Sequence, residues 1–228
     1  MRVEGWEAGL DTHDLRGKKA VIVADLGVAV LHPEIADAVV RHGEMLARDA
    51  GLELVDVPVK MPELSLEWAF SGLAEVRKDL GDLYPACEEE LTFEISLGLK
   101  IAEEAYNLQS RANIEAARIL MNEKMAEIFE QVDFVIASTN PEIAFAAEGP
   151  LPSQFNGVEA GFGNNGALTI PANIYGSPAI SIPIGTSRGL PIGMQVLAPH
   201  HREAWLLDMA RIVERERPWP LVAPDAPV

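Results

Sequence analysis

Residues 169–196, TIPANIYGSPAISIPIGTSRGLPIGMQV, constrain the fold of this chain more than any other stretch. A short polar turn is expected around Asn173, after which Gly176-Ser177-Pro178 leads into the apolar run Ala179-Ile180-Ser181-Ile182. Pro183 intervenes, the chain turns over Thr186-Ser187-Arg188-Gly189, and it returns as Ile192-Gly193-Met194-Gln195-Val196. Two β-rich runs about a glycine-containing turn read as a hairpin. Proline brings no N–H to a ladder, so the first strand is expected to leave it early, at an edge or bulge. The hairpin is expected to be a buried floor. Residues 155–166 before it read as loop, and loops held by a rigid floor are where sites tend to lie.

The remainder alternates strand and helix. Residues 18–25, KKAVIVAD, read as a buried strand. Pro33 and Glu34 open a helix that runs to Gly51, and residues 52–59, LELVDVPV, read as the next strand. Together these make a βαβ unit. A helix is expected from Pro62 to about Leu80, and a longer helical stretch from Leu91 to Glu130, broken near Gly98-Leu99-Lys100 because forty residues exceed an ordinary globular helix. Its charged side (Glu103, Glu104, Arg111, Glu115) reads as solvated, and Met121, Met125, Ile128 and Phe129 as core. A third strand covers residues 133–137, a loop-rich span residues 141–168, and a closing helix residues 202–215 with Trp205, Leu206, Met209 and Ile212 inward. The whole, 1–228, reads as one domain of α/β class, with residues 217–228 as an extended tail.

Several functions are disfavoured. A net charge of −17, from 35 acidic against 18 basic residues, repels phosphate backbones and anionic lipid, so neither nucleic acid nor membrane is an expected partner. No apolar run approaches the ~20 residues of a spanning helix, and the charged first residues lack the apolar core of a secretory signal. A cytoplasmic location is therefore expected, in keeping with one cysteine, Cys87, whose thiolate Glu88, Glu89 and Glu90 would disfavour. Residues 161–166, GFGNNG, match G-x-G-x-x-G but lack a convincing strand before, a helix after and an acid ~20 residues on, so they read as a glycine-rich turn. His200 and His201 have no third ligand spaced to join them, and neither a metal nor a cofactor is expected.

The spacing Asn173-x-x-Gly176-x-Pro178-Ala179-x-Ser181-x-Pro183-x-Gly185, then Gly189-Leu190-Pro191-x-Gly193-x-Gln195, resembles the C-terminal signature of the amidase signature family, the Ser–cis-Ser–Lys amide hydrolases. Asp14-Leu15-Arg16-Gly17, a strand and a Pro-Glu-led helix are similar to the segment after the nucleophile region in that family; Asn140, before Pro141, departs from its usual Thr-Pro turn. The resemblance implies a mixed β-sheet layered between helices, with the catalytic serines and lysine in the half of the fold that precedes the matched part. No Gly/Ser-rich segment and no suitably placed lysine occurs here, so no catalytic residue is expected, and Ser177 and Ser181 match structural positions.

The resemblance therefore implies the C-terminal half of an amide hydrolase, as a truncated product or one part of a split enzyme, inactive alone. It would act on a small amide only when completed by an N-terminal half, and would associate with itself or a partner chain through an exposed sheet edge. The loop bordering the hairpin nominates Phe155, Thr169, Asn173, Ile174 and Tyr175 as a substrate-pocket wall, although the same five serve equally as packing. The rival expectation is a free-standing, non-catalytic domain that binds a small ligand or a protein.

Overall fold

The computed structural model describes residues 7–149 and 151–220, and of residues 65–67 and 162 the backbone alone. Its frame is a five-stranded sheet built from β1 (Lys19–Ile22), β2 (Glu53–Leu54), β3 (Phe134–Ser138), β6 (Ala179–Ser187) and β7 (Leu190–Leu197), in the order β2-β1-β3-β7-β6. β4 (Gln154–Phe155) and β5 (Val158–Glu159) make a separate small ribbon. β1 runs parallel to β2 and β3, whereas β7 runs antiparallel to both β3 and β6, so the sheet is mixed as expected.

Alternation along the pleat gives two cores. Ala20, Phe134, Ile136, Ile182, Met194 and Val196 point to one face, covered by α1 (Pro33–Ala50) and α6 (Glu203–Glu216). Val21, Val135, Ala137 and Leu197 point to the other, covered by α4 (Leu108–Phe129) and α5 (Ile170–Tyr175). α1 starts where the sequence places it: Pro33 pre-sets the first turn, and Nδ1 of His32 accepts the Glu34 N–H. It ends at Gly51 (φ 67°), whose N–H donates to the carbonyls of Ala47 and Arg48, closing the turn in a conformation that favours glycine.

Four expectations change. The polar turn around Asn173 is the short helix α5, started by Pro171 and closed by Gly176 (φ 72°). The break in the long helical stretch lies at Tyr106-Asn107, separating α3 (Phe93–Ala105) from α4. There the Asn107 side chain accepts the N–H groups of Gln109 and Ser110 while the Ser110 hydroxyl accepts the Asn107 N–H, a reciprocal cap. Gly98 stays helical; a Cβ there would lie 3.0 Å from Leu73 of α2 (Ser65–Leu80), so this glycine permits close packing. β2 is only two residues long, because Val55 makes one last bond to Ala20 and Pro58 offers no N–H beyond it.

The fourth change concerns the hairpin. β6 is an edge strand and its register slips between Pro183 and Thr186, as the proline implied. It is not a buried floor: Ile182 and Ile184 are buried, while Ala179, Ser181, Pro183 and Gly185 are exposed. The helical layer of α4 and α5 covers β7 but stops short of β6, which leaves one face of that strand bare. The tail beyond residue 220 and residues 1–6 lie outside the described residues. Among the described residues no helix is long and apolar enough to cross a membrane.

Candidate functional site

On that bare face, between α5 and β6, lies a cleft of about 320 Å³. Its polar lining consists of Thr139, Thr169, Asn173, Ser177, Ser181 and Gln195, all hydroxyls or amides, and no described ionisable side chain lines it. Thr139 follows the last residue of β3, and Ser181 stands opposite Gln195 in the β6–β7 register, so three strands converge on one spot. The hydroxyls of Thr139 and Ser181 lie 2.7 Å apart in a hydrogen bond. Space for that pair depends on Gly193, where a Cβ would sit 2.9 Å from each of the two oxygens. Behind them the buried Gln195 amide donates to the carbonyls of Ser138 and Leu168, each at 2.8 Å, which ties β7 both to the end of β3 and to the approach to α5. The Asn173 amide donates back to the Thr169 carbonyl at 2.8 Å, orienting it along the helix. The hydroxyl of Ser177 is buried without a hydrogen-bond partner among the described residues.

Of the five residues nominated from sequence, the structure brings Thr169 and Asn173 to this cleft. Phe155 is wholly buried on β4, and Ile174 is buried in the core under α5. Tyr175 stacks on Phe129, centroids 6.0 Å apart, and lies 4.3 Å from the His200 ring, whose Nε2 is 2.7 Å from the Tyr175 carbonyl. Sequence reasoning missed Thr139, Ser181 and Gln195 as cleft residues. The signal was a serine at an alternate position of an otherwise apolar strand, facing a glutamine across the turn.

No catalytic constellation is assembled. Among the described residues no serine or cysteine hydrogen-bonds to a lysine or histidine; Lys100 pairs with Glu88, Lys124 with Glu127, and Lys18 lies over the Trp205 ring. Thr12, His13 and Asp208 come together, but both oxygens face the same ring nitrogen, His13 Nδ1 (3.4 and 2.8 Å), so the imidazole cannot relay a proton between them. No described group of three His, Cys, Asp or Glu residues could hold a metal. The glycine-rich turn is a 3₁₀ turn, Phe162–Asn165, and its Asn164 is structural: the side chain accepts the Val30 N–H at 2.8 Å and donates to the Val30 carbonyl at 2.9 Å. At the hairpin tip the Ser187 hydroxyl donates to Glu34, and this bond, helped by nearby Arg188, holds the Glu34 carboxyl below its ordinary value against the opposing effect of desolvation.

The family model for amidases matches residues 8–207. A glutamyl-tRNA(Gln) amidotransferase subunit from Rhizorhabdus wittichii is 31% identical, the match covering 94% of this chain and 47% of that protein. Its counterpart in a Roseiflexus species is 28% identical across 99% of this chain and 50% of its own. Among solved structures, a bacterial aryl acylamidase of the amidase signature enzymes superposes with a TM-score of 0.76 at 22% identity, covering 96% of this chain and 47% of that one. 6-Aminohexanoate cyclic dimer hydrolase does so with 0.71 at 24%, covering 96% and 49%. This chain thus spans about half the length of the relatives it matches, and it shares their mixed sheet flanked by helices.

Proposed function

Because this chain belongs to the amidase family, whose model matches residues 8–207, we propose that it forms the scaffold and substrate-pocket portion of an enzyme that hydrolyses amide C–N bonds. The observation that carries this reading is the uncharged cleft on the bare face of β6, where Thr139, Thr169, Asn173, Ser181 and Gln195 converge. A neutral amide presents one acceptor and up to two donors, and a wall of hydroxyls and carboxamides can meet both without the cost of burying an unpaired charge. Ile174 and Tyr175 serve behind that wall, packing α5 against α4, and Phe155 is buried on the small ribbon.

Amide hydrolysis also needs an activated nucleophile, a base and donors aimed at the oxyanion. In this proposal those groups, a serine, a bridging serine and a lysine, belong to the part of the amidase fold that precedes the matched signature, so residues 1–228 form one cytoplasmic domain that is inactive alone. The exposed edge of β6 is where a completing polypeptide would join, since its outer backbone groups face no described strand.

The test is an assay of the purified chain against aryl amides, with release of the aryl amine followed by absorbance. No turnover is expected. Robust hydrolysis that disappears on substitution of a single residue within the chain would overturn the proposal. A free-standing binding domain, by contrast, would stay monomeric in light scattering and gain no activity from any added polypeptide.

A further inference from the structure

A second cleft, of about 270 Å³, opens beside β7 and is chemically unlike the first. Asn140, Glu142 and Phe145 from the loop after β3 form one wall, Asn165 of the 3₁₀ turn another, and Ile192 and Gly193 the base. Its only ionisable group among the described residues is Glu142. We infer that this cleft is a binding site for a small organic ammonium ion, a primary alkyl- or arylalkylamine in its protonated form.

Three observations carry the inference. First, the Glu142 carboxylate is not neutralised by any described residue. Its described hydrogen bond is local, Oε1 accepting the Ile143 N–H at 2.9 Å, and it forms no ion pair with a described residue. Arg188, at the neighbouring hairpin tip, is already engaged by His32 and Glu34. A half-buried carboxylate with spare acceptor capacity is best satisfied by an N⁺–H donor, the shorter and stronger kind of hydrogen bond. Second, the rest of the recess is hydrocarbon and carboxamide. Ile192 and Phe145 offer an apolar bed for the body of the ligand, and the aromatic face attracts a cation besides. Asn140 brings a carbonyl oxygen that accepts from an ammonium, which has three donors and no acceptor. Third, the carboxylate rests on an anchored backbone. The Pro141 carbonyl accepts the His32 N–H at 2.9 Å and the Thr139 N–H donates to the Gly193 carbonyl at 3.1 Å, on either side of Asn140.

The volume lies just below the ~300–1,000 Å³ usual for ligand pockets, which suits a one-ring or short-chain amine and not a larger molecule. The chain's net charge of −17 adds a general attraction for cations that would raise their encounter rate. None of the polar groups of the uncharged cleft lines this one.

The experiment is a titration of the ¹⁵N-labelled full chain with benzylammonium chloride at neutral pH, with benzyl alcohol as the uncharged probe of the same shape. Saturable shifts are expected at the amides of Ile143, Ala144 and Gly193, with affinity for the alcohol lower by about tenfold or more, as loss of a charge-assisted hydrogen bond requires. Glu142→Gln should weaken benzylammonium binding by about tenfold and leave the melting temperature unchanged; Phe145→Ala, at an exposed side chain, should weaken both probes together. Equal binding of the two probes, unaltered affinity in Glu142→Gln, shifts centred on another acidic stretch such as Glu88–Glu90, or no saturable shift at all would overturn the assignment.

Discussion

Gly193 lines the cleft beside β7 and abuts the Thr139–Ser181 pair of the other, yet the two clefts are built on opposite principles. The one between α5 and β6 is lined by hydroxyls and carboxamides, of which Thr139 and Ser181 bond each other while Gln195, Asn173 and Thr169 bond backbone carbonyls, so its geometry is set by that network and its chemistry is neutral. The one beside β7 keeps a single carboxylate among apolar walls, so its geometry is set by backbone anchors and its chemistry by one charge. The difference teaches where damage would spread. Disturbing the first should loosen three strands at once, whereas disturbing the second should alter recognition and little else.

The largest expected effect lies in neither cleft. Phe155→Ala should cost about 3–5 kcal/mol, since the ring is wholly buried and its removal leaves a void; a chemical-denaturation midpoint barely changed from wild type would instead make Phe155 a pocket residue, as the sequence first nominated it. Gln195→Leu comes next, at about 2–3 kcal/mol, because two buried carbonyls lose their donor together. If denaturation showed no loss, the network would not be what shapes the neutral cleft. Gly193→Ala should cost about 1–2 kcal/mol by thermal unfolding, as the new methyl meets two oxygens that are already bonded to each other. Glu142→Gln should lie within about 0.5 kcal/mol of wild type, and a larger loss of stability would break the contrast by making the charged cleft structural.

The smallest effect is a pH dependence at the hairpin tip. The Ser187 hydroxyl first, and Arg188 after it, lower the Glu34 carboxyl in the folded state, so this contact contributes fully above the unfolded glutamate value and is lost as pH falls through the lowered folded value. The protection of the Arg188 and Gly189 amides, taken as exchange relative to the intrinsic rate at each pH, should accordingly fall at pH values below the usual carboxylate range, and Glu34→Gln should abolish that dependence.

The frame of the molecule was legible because local rules and burial agree there. Pro33, Gly51 and the unbroken apolar run of residues 134–137 say what they become, and the dozen spaced positions from Asn173 to Gln195 specify the family. Where legibility failed, a tertiary or capping contact outweighed the local signal. Gly98 looked like a breaker until the Leu73 side chain explained it, and Asn107 stops one helix and starts the next through a cap that a search for glycines overlooks. For the site, position along the chain found Thr169 and Asn173 but not Thr139, because strand pairing, and not sequence distance, places Thr139 beside Ser181, 42 residues on.

The long connection from β3 to α5 is fastened near both of its ends. Pro141 near its start is tied to His32, and Asn164 near its end is tied to Val30, two residues away on the same segment. An excursion held at both mouths by adjacent anchors can lengthen, shorten or change its lettering with little strain passed to the sheet. Natural variation in what this protein recognises would therefore arise with least disturbance between residues 142 and 149, short of the buried Phe155, an exchangeable rim carried on a body that need not be rebuilt.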